Sequence, residues 1–210
     1  MKKYNAFIFD LDGTLVHTLP EYRYTIVGQT LRDLGVSPQN ELIDRFWFEA
    51  RRGDIVTDNW GLSLDTFWSL YRKYDTTELR KKLTKVYDDV SYVQELKKAG
   101  FKTGIVTGAP LHIAELEIDM LGKENFDAIV VAHRVNGFKP KPHPHGLEEC
   151  LGLLKSQKEG AVYIGNADED VETAKNAKVF DVLLDRGEHK FPTINPSLTI
   201  HSLYELRQLI

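Results

Sequence analysis

Two aspartates two residues apart, in Asp10-Leu11-Asp12-Gly13-Thr14, follow directly on an apolar run. Carboxylates at i and i+2 ahead of a glycine allow one side chain to point forward as a nucleophile while the second curls back as a proton donor. A carboxylate that attacks phosphorus needs a cation to offset its own charge, and the leaving oxygen needs a proton. Asp-Gly is equally a common turn pair, so a plain polar turn is the competing reading. No third acid follows at calcium-loop spacing, where Thr14 stands, which excludes an EF-hand.

Three further clusters carry groups of the same kind. Thr107-Gly108 offers a hydroxyl and the next backbone N–H, a small anion cradle, although threonine at a strand end is common. Lys139-Pro140-Lys141-Pro142-His143-Pro144 is stiffened by alternating prolines, so a lysine in it is aimed rather than merely solvated. Gly165-Asn166-Ala167-Asp168-Glu169-Asp170 places amide and carboxylate oxygens where a hard cation such as Mg²⁺ would be held; the same acids also suit the start of a helix. His143 and His145 have no third ligand nearby. Cys150, between Leu147 and Leu151 in a helical pattern, reads as a buried, inert thiol. Neither a Gly-rich nucleotide fingerprint nor a P-loop occurs.

The elements that must position these clusters are legible as short apolar runs. Residues 4–9, 102–107, 128–132, 161–164 and 179–184 read as buried strands. Helical spacing follows them: Val93, Leu96 and Lys97 before Gly100; residues 111–121; Leu147, Leu151 and Leu154; and Val171, Ala174 and Ala177. Such alternation predicts a parallel sheet covered on both faces, whose ligands sit beyond the carboxyl ends of the strands. Each of the four clusters stands at such an end. Leu203, Leu206, Leu209 and Ile210 predict a last amphipathic helix.

From about residue 19 to residue 87 the alternation lapses. Four helical patterns are read there, around Ile26, Leu31 and Leu34; Leu42, Ile43, Phe46 and Trp47; Phe67, Leu70, Tyr71 and Tyr74; and Leu79, Leu83 and Val86. They are interrupted at residues 35–38, at Arg52-Gly53-Asp54 and at residues 75–77. Trp47, Trp60 and Trp68 all fall in this stretch and read as packed core. A helical bundle inserted after the first strand is the simplest account.

Composition narrows the partners. Thirty-one acids against 27 lysines and arginines give a net charge of −4 without a basic block, which argues against a nucleic-acid partner. No apolar run reaches the ~20 residues of a membrane span. The run behind Met1-Lys2-Lys3 is cut at Asp10, too short for a secretory signal. A single cysteine excludes an internal disulfide and a cysteine zinc cluster. A soluble cytoplasmic protein is the expectation.

In chain order the four clusters resemble the motifs of the haloacid dehalogenase superfamily, in the branch of phosphoglycolate phosphatases and β-phosphoglucomutases that carry a helical cap. Asp10-Leu11-Asp12-Gly13-Thr14-Leu15 matches the first motif and Thr107 the second. Lys141-Pro142-His143-Pro144, with Leu147 three residues beyond, resembles the third and favours Lys141 over Lys139. Gly165-Asn166 and Asp170 resemble the fourth. The resemblance implies an α/β fold: a Rossmann-like parallel sheet core, residues 1–16 and 88–210, with an inserted all-α cap, residues 17–87. It implies Asp10 as the nucleophile forming an aspartyl-phosphate, and Asp12 as the acid that protonates the leaving alcohol and then activates water. Thr107, Gly108 and Lys141 would hold the phosphoryl oxygens. Mg²⁺ would be bound by Asp10, the Asp12 carbonyl and residue 166, with Asp170 as a metal or supporting group. Arg52, between cap helices, and His17, at the hinge, are substrate-binding candidates.

Hydrolytic dehalogenases of the superfamily lack the second aspartate, so Asp12 implies a Mg²⁺-dependent phosphatase of a small phosphorylated metabolite. A sugar phosphomutase would use the same residues, and a phosphate-binding or regulatory module is the alternative from another class. Two residues depart from the family pattern. Asn166 stands where aspartate is usual, and brings a carbonyl oxygen without a charge. His17 stands where many relatives have aspartate.

Overall fold

The computed structural model describes residues 4–49 and 51–210. The Met1-Lys2-Lys3 start therefore lies outside the described residues. In chain order the elements are β1 (Ala6–Phe9), β2 (Val16–Thr18), α1 (Pro20–Asp33), α2 (Asn40–Phe48), α3 (Arg52–Asp54), α4 (Leu64–Tyr74), α5 (Thr77–Leu83) and β3 (Thr84–Val86). They continue with α6 (Ser91–Lys98), β4 (Lys102–Thr107), α7 (Leu111–Leu121), β5 (Ala128–Val131), α8 (His145–Leu154), β6 (Ala161–Gly165), α9 (Asp168–Ala177), β7 (Phe180–Leu184) and β8 (Leu198–Ile200). The chain forms two compact units: residues up to His17 with Val86–Ile210, and Thr18–Lys85.

The first unit is built on a six-stranded sheet of order β5-β4-β1-β6-β7-β8, parallel throughout. β1 lies between β4 and β6, with Phe9 opposite Ile105 on one side and Ile164 on the other. The connection order reverses at β1, so the switch point of the sheet falls at the strand that Asp10 follows. Alternate side chains face opposite layers. Phe7, Phe9, Ile105 and Ile164 pack with Val93, Leu96, Ile118 and Leu206, whereas Ala6, Ile8, Val106 and Tyr163 pack with Leu147, Cys150, Leu154 and Ala174. Both faces are dry, which is why these strands read as continuous apolar runs. Cys150 is fully buried beside Gly104, and burial pushes its thiol up to about 12, so it is inert.

The second unit packs α1, α2, α4 and α5 around Phe46, Trp60, Phe67 and Tyr71, whose rings meet at 5.3–6.4 Å between centroids. Its tryptophans are packed in or against this core.

Four details differ from the sequence reading. Arg52-Gly53-Asp54 is a helical turn running into a π-helix at Ile55–Asn59, because Ile55 and Val56 are buried and draw the chain into the bundle. Val86 belongs to β3, not to a fourth helix, and β2 and β3 pair as a small second sheet. The C-terminal segment is a 3₁₀ helix, Leu203–Leu209, with Leu203 and Leu206 buried three residues apart as that period requires. β8, three residues long, was too short for its pattern to register. Among the described residues, no helix is long and apolar enough to cross a membrane.

Candidate active site

The Asp10 N–H donates to the Ile164 carbonyl at 2.8 Å, so the chain leaves β1 still paired to β6 and then turns back. Gly13, at φ +90°, makes that turn and donates to Val16 at 2.6 Å, while Leu15 donates to Leu11 at 2.9 Å. A Cβ on Gly13 would stand 2.2 Å from Asn166 Nδ2; only glycine lets the loop close on Asn166. The Thr14 hydroxyl lies 3.2 Å from Asp10 Oδ2 and 3.3 Å from Asn166 Oδ1, so two oxygens from neighbouring strand ends converge on one point.

Lys141 reaches the same place. Its side chain is only 6% exposed, and Nζ donates to Asp10 Oδ1 at 2.6 Å and to Asp170 Oδ1 at 2.7 Å. Lys139 is exposed. Asp170 folds back over the end of β6, a path open because residue 165 is glycine: a Cβ there would stand 2.2 Å from Asp170 Cγ. Its Oδ2 accepts from the Ala167 N–H and its Oδ1 from Lys141 and the Tyr163 hydroxyl. Both oxygens of Asp170 are thus engaged in hydrogen bonds. Burial pushes the Asp10 carboxyl up to about 7; Lys141 pulls the other way and Asp170 adds to the rise. Burial also disfavours the Lys141 ammonium, but Asp10 and Asp170 outweigh it and raise its pKa well above the ordinary lysine value.

The donor set fits a hard, oxygen-seeking cation. Asp10 Oδ2 and Asn166 Oδ1 already converge on the Thr14 hydroxyl, and Asp12 is half-buried in the same turn. Asp10, Asp12 and Asp170 carry three formal negative charges against one from Lys141. Among the described residues no group of three or more His, Cys, Asp or Glu is arranged as a self-sufficient metal cage. Mg²⁺ does not need one, since it is held by one or two carboxylates and completes its shell with water and substrate oxygens.

The remaining candidates fall around this point or apart from it. Thr107 is buried at the end of β4, its hydroxyl accepting from the Ala109 N–H at 3.1 Å, and Gly108 beside it is exposed. The His17 ring stacks on Tyr87 at 4.4 Å. Arg52 belongs to the helical unit, where it donates to the Trp47 carbonyl at 3.2 Å. Tyr163 and Arg186 were missed in the sequence. Tyr163 looked like one more apolar strand residue, and its ring lies 5.4 Å from Lys141 Nζ. Arg186 stands just past a fifth strand end, which is the signal that could have flagged it.

Residues 7–183 match the haloacid dehalogenase-like hydrolase family, and the chain belongs to that family. It is an enzyme of the family's phosphatase type. It is 27% identical to pyrophosphatase PpaX of Halalkalibacterium halodurans, across 98% of this chain and 96% of that protein. It is 30% identical to pyrophosphatase PpaX of Bacillus cereus strain Q1, across 83% of this chain and 80% of that one. Among solved structures it resembles the HAD phosphatase of Thermococcus onnurineus, with a TM-score of 0.70 and 26% identity over 98% of this chain and 97% of the other.

Proposed function

We propose that the chain hydrolyses the phosphate monoester of a small metabolite, with Mg²⁺, through an aspartyl-phosphate on Asp10. The observation that carries this reading is the buried lysine shared by two carboxylates, Asp10 and Asp170, at the switch point of the sheet. The Asp10 carboxylate attacks phosphorus; Lys141 holds Asp10 in place and neutralises charge shared between the carboxylate and the phosphoryl oxygens. Thr107, with the Gly108 N–H, lies at the adjacent strand end and takes a second phosphoryl oxygen. Asp12 gives its proton to the leaving alcohol, then removes one from the water that cleaves the acyl phosphate. Asp10, the Asp12 carbonyl and Asn166 would hold Mg²⁺, which supplies positive charge against the phosphoryl oxygens. In this reading residues 17–87 are assigned as a cap domain and residues 1–16 and 88–210 as the catalytic core domain, with Arg52 and His17 as candidate contacts to substrate.

Phosphate release from a panel of alkyl and aryl monoesters, with and without Mg²⁺, tests the reading; pyrophosphate belongs on the panel because of the relatives' activity. Hydrolysis of monoesters that disappears with chelator supports it. Turnover of pyrophosphate alone would replace the substrate class and keep the machinery, and no turnover of any phosphate would leave a binding module. In Asp12→Asn, alkyl esters should lose about 10²-fold in kcat while aryl esters with good leaving groups lose much less in the first step. Equal losses would remove the proton-donor role.

A further inference from the structure

Arg186, two residues past β7, makes a set of contacts that the chemistry above does not use. Nη1 and Nη2 meet Asp89 Oδ2 and Oδ1 at 2.8 and 3.0 Å, a bidentate pair in which both side chains are 10% exposed. Nη2 also donates to the Thr14 carbonyl at 2.7 Å. The guanidinium lies 3.8 Å from the centroid of the Tyr87 ring, on which the His17 imidazole also stacks. Asp89 is anchored in turn: it accepts from the Ser202 hydroxyl at 3.0 Å and from the Leu203 N–H at 2.8 Å, at the start of the C-terminal 3₁₀ helix, whose Leu203 and Leu206 are buried. Burial pushes the Asp89 carboxyl up, but Arg186, the Leu203 N–H and Ser202 outweigh it and leave it below its ordinary value.

We infer that Arg186, clamped by Asp89, is a positioning residue that fixes the Asp10–Thr14 turn. Thr14 is the link: its carbonyl is held by Arg186, and its hydroxyl touches both Asp10 and Asn166. A rigid strut thus runs from the packed C-terminal segment to the carboxylate that attacks phosphorus. A displacement of about 1 Å at such a group costs about 10²-fold in rate. The inference rests on the phosphatase reading for what the turn does, but not for whether the turn is held.

Amide hydrogen exchange and steady-state kinetics on Arg186→Gln, Arg186→Lys and Asp89→Asn separate the two. In Arg186→Gln the amides of Gly13, Leu15 and Val16 should exchange about tenfold faster, with those of Phe7 and Ile8 in β1 unchanged. On an alkyl phosphate kcat should fall about 10²-fold and KM by no more than about threefold. Arg186→Lys, which keeps one donor, should recover part of both effects. If Arg186→Gln does not fold, Asp89→Asn, which keeps the arginine but loses the charged clamp, should show the same pattern at reduced size. A folded variant whose loop amides and kcat both match wild type overturns the inference. Faster loop exchange in a protein whose wild type hydrolyses no phosphate supports the strut and removes the phosphatase reading instead.

Discussion

In the helical unit each of two buried arginines has an acid of its own: Arg23 Nε lies 2.6 Å from Asp44, and Arg80 Nε 3.7 Å from Asp75, with the Tyr22 hydroxyl bonded to both members of the second pair. In the α/β unit one lysine is shared between Asp10 and Asp170, with Asp12 two residues away. Matched pairs hold a fold together, since breaking one strands a buried charge. An excess of carboxylate oxygens is costly unless something arrives to complete it. The contrast marks the strand ends as the place where ligand charge is expected, and the helical core as packing.

That contrast can be broken in order of expected effect. Asp10→Asn should lower kcat by at least about 10³-fold without unfolding the protein, because an amide is a very poor nucleophile. Appreciable turnover in the folded variant sinks the mechanism. Lys141→Ala should cost about 10²-fold in kcat, whereas the exposed Lys139→Ala should stay within about twofold. The reverse order would place the charge at the other lysine. Phe67→Ala, in the aromatic core, should remove about 3–5 kcal/mol of stability as read by denaturant unfolding, and speed amide exchange in α1 and α4 rather than in β1. Equal loosening of β1 would make the two units one cooperative core.

The smallest effect concerns Asn166. Restoring the acid with Asn166→Asp should lower the half-saturating Mg²⁺ concentration by roughly threefold to tenfold, since ligand charge is a main lever on hard-cation affinity. Calorimetric titration of Mg²⁺ into both proteins reads affinity apart from rate. The rate itself can fall, because the added charge also repels an anionic substrate. An unchanged midpoint would assign the holding of the cation to other oxygens.

Much of the α/β unit was legible because a strand buried on both faces has no polar residue to spare, so its end is announced by the first polar group. Asp10, Thr107 and Asn166 each stand within one residue of such an end. The helical unit was legible as helices but not at its edges: burial of Ile55 and Val56 carried the chain through Arg52-Gly53-Asp54, where local signals read a break.

By itself the sequence determined which groups are carried at strand ends, because a short apolar run followed by a carboxylate, hydroxyl or amide is a local property of the chain. Its spacing also favoured Lys141 over Lys139. Tertiary structure decided which of those groups meet. Only the order of the sheet, with β1 between β4 and β6, sets Asp10 beside the ends of both neighbours. Only the fold spends both oxygens of Asp170 on Lys141, Tyr163 and Ala167, and joins Asp89 to Arg186 across 97 residues of chain. Hydrogen bonds and ion pairs act over about 3 Å of space whatever the separation along the chain, so no local pattern encodes them.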